Sequence, residues 1–128
     1  EDLYSKLKNR KSPIKICLLD QKVVVGVGNI YACEALYRSK ISPKRRADKV
    51  KKKECKILVE EIKNILAEAI RVGGSSLRDF AGADGALGYF IHQFKVYDKE
   101  GGECDCGGVI ERLVQSNRST FWCRSCQK

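Results

Sequence analysis

Four cysteines crowd the last quarter of this 128-residue sequence: Cys104, Cys106, Cys123 and Cys126. Zinc takes four soft ligands in a tetrahedron, and two cysteine knuckles at the open end of a hairpin supply them while closing a fold too small to have a core of its own. Cys123-Arg-Ser-Cys126 has the usual two-residue gap, whereas Cys104-Asp-Cys106 has only one residue between its sulfurs. Gly107-Gly108 follows directly and allows the sharp turn that a short knuckle needs. The other three cysteines, Cys17, Cys33 and Cys55, are isolated, so the pattern indicates a metal rather than a disulfide framework. The competing reading is a set of reduced thiols or a disulfide.

A second constellation lies in the first quarter, in Gly26-Val27-Gly28-Asn29. Backbone N–H groups at a helix start behind two glycines, together with a side-chain amide, can converge on a phosphate. A plain N-cap is the alternative for Asn29. Twenty-five Lys and Arg against 16 Asp and Glu give a formal charge of +9, which favours a polyanionic partner. Lys44, Arg45, Arg46, Lys49, Lys51, Lys52 and Lys53 form the densest basic run, readable as added non-specific affinity for such a polyanion or as a solvated loop. Tyr31, Tyr37, Phe90, Phe94 and Trp122 fall at core-like spacings and are read as packing, and His92 as structural.

The elements that must position these groups read as follows. Leu3 and Leu7 have helical spacing, and Ser12-Pro13 opens a second short helix running through Leu19, which Asp20-Gln21-Lys22 ends. After Val23–Val25 and the glycine turn, Ile30 to Arg38 make an amphipathic helix that Ser42-Pro43 stops. The longest helix spans about Lys52 to Val72, with Ile57, Leu58, Ile62, Ile65, Leu66, Ala69 and Ile70 on its apolar face and Gly73-Gly74 as its stop. Ser75 or Ser76 would cap a turn carrying Leu77 and Phe80. A glycine-rich loop over Gly82 to Gly88 follows, then a last short helix through Phe90, Phe94 and Tyr97. Val109–Val114 and Ser119–Trp122, joined by Gln115–Arg118, make the hairpin.

Four runs carry a family resemblance: Gly26 to Pro43 (GVGNIYACEALYRSKISP), Gly73 to Phe80 (GGSSLRDF), Gly88 to Tyr97, and the ending CGGVIERLVQSNRSTFWCRSCQK. Together they resemble the formamidopyrimidine-DNA glycosylase family, in the correct order and over nearly the whole chain. Ile30-Tyr31-Ala32 favours that branch over the related endonuclease VIII branch. The resemblance implies a mainly α fold: a helix-two-turn-helix domain over residues 1–97 and a β-hairpin zinc finger over 98–128, together the C-terminal half of an α+β enzyme. It implies DNA contacts from Lys15, Gly26, Gly28, Asn29, Tyr31 and Arg118, with Asn29 and Arg118 clamping phosphates beside the lesion. It assigns zinc to Cys104, Cys106, Cys123 and Cys126, and closure over a flipped base to the Gly82–Gly88 region.

In that family an N-terminal proline attacks the sugar carbon, assisted by the glutamate after it, whereas Pro13 and Pro43 are both internal here. With no methionine even at position 1, the sequence reads as a fragment or processed product, expected to bind DNA and to catalyse nothing alone. The expected partner is double-stranded DNA with oxidised bases or abasic sites. No apolar run approaches a membrane span and EDLYSKLKNR is too charged for a signal peptide, so a soluble, intracellular protein is expected. The resemblance adds the expectation of a monomer in the bacterial cytoplasm, associated with the nucleoid. The rival readings are a stand-alone, non-catalytic nucleic-acid-binding protein and a decayed gene product.

Overall fold

The computed structural model describes residues 2–20, 27–78 and 94–128. Helices α1 (Asp2–Leu7), α2 (Ile14–Leu19), α3 (Asn29–Arg38) and α4 (Lys52–Arg78) precede an antiparallel hairpin of β1 (Ile110–Gln115) and β2 (Arg118–Cys123). The expected Val23–Val25 lead-in, Gly26, Phe80, the Gly82–Gly88 loop, Phe90 and His92 lie outside the described residues.

Helix α2 starts one residue later than expected. Pro13, rather than Ser12, is its N-cap, with φ −57° and ψ 146° and no side-chain capping bond. What fixes this start is a long-range strip: Ile14 N–H donates to Arg45 O at 2.6 Å, Ala47 N–H to Ser12 O at 2.8 Å and Asp48 N–H to Arg10 O at 2.9 Å. The supposed basic loop is therefore pinned to the front of α2 by backbone bonds. Two of its cations are also ion-paired, Arg45 with Glu54 and Arg46 with Asp48.

Helix α3 ends before Ser42-Pro43 can act on it. Lys40 takes the left-handed conformation (φ 62°), with Lys40 N–H bonded to Tyr37 O at 3.1 Å and Ile41 N–H to Leu36 O at 3.0 Å. This pair of bonds satisfies the last carbonyls of the helix, and buried Ile41 and Leu36 give it its apolar contact. Helix α4 continues through Gly73-Gly74 to Arg78 rather than stopping there. Glycine costs about 1 kcal/mol against alanine inside a helix but keeps its N–H, so a long helix already docked on α1 and α3 can carry two of them. Ser75 and Ser76 accordingly lie within helix.

Among the described residues, the interior is made of two clusters. The larger joins Leu3 and Leu7 of α1, Ile14 and Leu18 of α2, Ala32, Ala35 and Leu36 of α3, and Leu58, Ile62 and Ile65 of α4. Ile57, read as part of that apolar face, is instead 43% exposed, while Cys55 takes a buried position. The smaller cluster sets Cys33 of α3 against Val96, Ile110 and Phe121. Helix α3 thus belongs to both.

Residues 94–99 make a turn instead of the expected helix, with Lys99 N–H bonded to Val96 O and Asp98 at φ 60°. The cause is Glu34, a buried carboxylate on α3 that accepts from the N–H groups of Lys95, Val96 and Tyr97 at 2.7, 2.9 and 2.7 Å. Three such donors offset the cost of burying the charge, and they bend the chain around it.

Candidate nucleic-acid interface and metal centre

The hairpin turns through Ser116 and Asn117, both left-handed (φ 49° and 65°), a two-residue connection whose twist suits the flanking strands. That register pairs Gln115 with Arg118 and places Arg118 first on β2, one residue past the tip and exposed. Thr120, Phe121, Trp122 and Cys123 are all buried, so β2 loses the usual alternation because both its faces are covered. Phe121 packs edge-on to Tyr97 at 5.0 Å between ring centroids, and Lys44 Nζ sits 5.6 Å over the Trp122 ring.

Beside the hairpin tip, α2, α3 and β2 meet through three polar side chains. Lys15 has no exposed surface. Its ammonium donates to Asn29 Oδ1 at 2.5 Å, Thr120 Oγ1 at 2.6 Å and Ser119 O at 3.3 Å. Asn29 Nδ2 donates to the same Ser119 carbonyl at 3.0 Å. Thr120 Oγ1 donates onward to Gln115 Oε1 at 2.7 Å, and Gln115 Nε2 to Pro43 O at 3.2 Å. Burial pulls the Lys15 amine below the usual lysine range, the Cys33 thiol opposes this, and the nearby Arg118 charge adds to it. Composition alone makes Lys15 one surface lysine among many; in the fold it is a buried tie between the helices and the finger.

Of the residues expected to act together, Lys15 and Asn29 are in direct contact and Arg118 adjoins the carbonyl that both hold. Asn29 is the first residue of α3, and Gly28, not Asn29, is its N-cap. Gly28 is extended (φ −93°, ψ 178°), and a Cβ built there would meet nothing within 4 Å. Neither backbone strain nor internal packing therefore calls for glycine at 28. Tyr31 is half-buried and packs against the helical core. Sequence reasoning missed Ser119, Thr120 and Gln115 as partners in this network. Only the fold brings them there: Ser119 and Thr120 meet Asn29 and Lys15 across 90 and 105 residues, and Gln115 meets Pro43 across 72.

The four expected metal ligands converge. The sulfurs of Cys104, Cys106, Cys123 and Cys126 all lie within 4.8 Å of one another, with Cys104 to Cys126 at 3.4 Å and Cys106 to Cys123 at 3.5 Å. A zinc ion with Zn–S bonds of about 2.3 Å holds its sulfurs about 3.8 Å apart, so this all-thiol set fits zinc. The one-residue knuckle closes because Gly107 is left-handed (φ 94°), Gly107 N–H bonds to Cys104 O and Cys104 N–H bonds to Gly108 O. A Cβ at Gly108 would lie 2.9 Å from Ser125 Oγ and 3.2 Å from Cys123 Sγ, so a side chain there would crowd the second knuckle. Burial opposes ionisation of Cys104, yet hydrogen bonds from the Cys106 N–H and the Tyr37 hydroxyl bring its thiol down to about 6. Bound zinc would supply a rigid tetrahedral link between the knuckles. Gln127 fastens the second knuckle to the helical part, accepting from Cys123 N–H at 2.8 Å and donating to Ile41 O at 2.9 Å.

Comparison with known proteins places both halves. The formamidopyrimidine-DNA glycosylase H2TH domain matches residues 1–81, and a zinc finger found in FPG and IleRS matches residues 105–128. The curated formamidopyrimidine-DNA glycosylase of Roseobacter denitrificans is 55% identical over 129 residues, covering 98% of this chain and 46% of that protein. That of Caulobacter vibrioides is 57% identical over 122 residues, covering 93% of this chain and 42% of its own length. Among solved structures, the Lactococcus lactis Fpg in complex with abasic-site DNA superposes with a TM-score of 0.85 at 35% identity over 98% of this chain and 46% of that one. MutM bound to DNA containing carbocyclic 8-oxo-G gives 0.85 at 35% with the same coverage. The chain spans about half the length of the curated relatives it matches. No helix among the described residues is long and apolar enough to cross a membrane.

Proposed function

The chain belongs to the formamidopyrimidine-DNA glycosylase family, and from that membership we propose that it is the DNA-gripping C-terminal part of a base-excision-repair enzyme. The whole protein removes oxidised purines, formamidopyrimidine and 8-oxoguanine, and nicks the abasic site that results. The parts divide as a helix-two-turn-helix domain over 1–97 and a zinc hairpin over 98–128. The partner is duplex DNA carrying an oxidised base or an abasic site, met by a monomer at the bacterial nucleoid.

The observation that carries this reading is the joint between Asn29, Lys15 and the Ser119 carbonyl, which puts the start of a ten-residue helix beside an exposed arginine. The N-terminal end of α3 with its helix dipole, the buried Lys15 charge and the Arg118 fork all favour an anion at one place. Gly28 supports it too, since a glycine with open space around it leaves room for a sugar-phosphate backbone to approach. Lys15 acts here as a positioning residue: its ammonium is occupied by three protein acceptors and holds Asn29 and β2 in place. Drawing a base out of the stack costs unstacking energy, which firm backbone grips on either side offset.

Salt titration of binding to an abasic-site duplex tests the proposal. Each phosphate contact contributes about 0.9 to the slope of log affinity against log salt. Arg118→Ala is expected to flatten the slope by about that much. An unchanged slope would remove Arg118 from the grip.

A further inference from the structure

Helix α3 carries Asn29, Cys33 and Tyr37 at four-residue intervals, which puts them along one stripe. Each meets the finger at a different height. Asn29 bonds the Ser119 carbonyl near the tip, and Cys33 packs with Phe121 and Cys123 in the smaller core. Tyr37 reaches the metal end: its hydroxyl lies 3.2 Å from Cys104 Sγ, across 67 residues of sequence. We propose that the Tyr37 hydroxyl is an outer-sphere donor to the zinc-bound Cys104 thiolate, fixing the short first knuckle to α3 and setting how tightly the chain holds its metal.

A zinc-bound cysteine has lost its proton, so in the loaded protein the hydroxyl must be the donor and the sulfur the acceptor. Groups that hydrogen-bond metal ligands orient them and tune their basicity, and removing one typically costs 10- to 100-fold in metal affinity. The first knuckle has particular need of such a tie. With one residue between its sulfurs instead of two, it offers less backbone to aim both thiolates at one point, and Cys106 is exposed. The second knuckle has its own fastening through Gln127. Tyr37 gives the first knuckle a corresponding one, from the helix that also presents Asn29. The inference depends on zinc at the four cysteines and not on the proposed DNA contacts.

Tyr37→Phe keeps the ring in the smaller core and deletes only the hydroxyl. In the zinc-loaded chain, competition with a chromophoric chelator is expected to show metal affinity lowered about tenfold or more. In the cobalt(II)-substituted chain the sulfur-to-metal charge-transfer band is expected to move to lower energy, since a thiolate relieved of a hydrogen bond is the better electron donor. Tyr97→Phe serves as the control, because Tyr97 packs in the same cluster without bonding sulfur among the described residues. Zinc affinity and cobalt spectrum both unchanged in Tyr37→Phe overturn the inference, as does an equal loss in Tyr97→Phe. A wild-type chain that binds no zinc overturns the metal assignment along with it.

Discussion

Lys15 is a charged side chain with no exposed surface, and its value to the molecule is positional. Three acceptors, one at the start of α3 and two on β2, converge on its ammonium, so the cost of burying the charge is offset by bonds that also orient Asn29. Replacing it with methionine keeps much of the volume but leaves Asn29 Oδ1 without its donor. The expected loss is about 1–3 kcal/mol of stability, read from urea denaturation of the zinc-loaded chain. Methionine at 15 with stability unchanged would mean the lysine contributes its charge alone. The sequence could suggest Lys15 only through its family motif, because nothing local marks a lysine as buried. The cysteine ligands were legible for the opposite reason: four thiols clustered within 23 residues have few other uses in a basic chain without an evenly spaced framework.

Elements were legible where periodicity set them and illegible where a distant group did. The start of α4 shows both influences. Glu54, in its first turn, reaches back to Lys51 N–H at 2.9 Å and also pairs with Arg45 at 2.5 Å. Burial works against the charge, but these two donors outweigh it and hold the carboxyl below the usual carboxylate range. A depressed folded-state pKa contributes stability above the unfolded pKa, and that contribution is lost as pH falls through the folded value. Glu54→Gln should therefore be less stable than wild type by about 1 kcal/mol at neutral pH, with the gap closing below about pH 4. Denaturation curves of both proteins at the two pH values check it, and a gap that persists in acid would contradict it. The hairpin and the first three helices follow apolar spacing and turn residues closely enough to be read directly. Phe94 to Tyr97 misled because aromatic spacing looks helical, while a carboxylate 60 residues earlier bends the segment into a turn. Gly73-Gly74 misled because a stop signal is a local penalty of about 1 kcal/mol per glycine, which a long packed helix can override.

At the scale of the whole molecule, two interiors share one helix. Helix α3 contributes to the helical core on one side and to the finger's core on the other, and its start, middle and end each hold a different level of the hairpin. The metal ligands, the finger and the helical part are therefore mechanically continuous, and the exposed Arg118 is set relative to α3 by bonded contacts rather than by a free linker. The competing surface is the basic run ahead of α4, whose members Arg45 and Arg46 are already ion-paired. Amide chemical-shift mapping of the isotope-labelled, zinc-loaded chain against a short duplex with a central abasic site separates the two most directly. The account predicts that the amides of Gly28, Asn29, Arg118 and Ser119 move together along one titration curve. Shifts confined to residues 44–53 would contradict it.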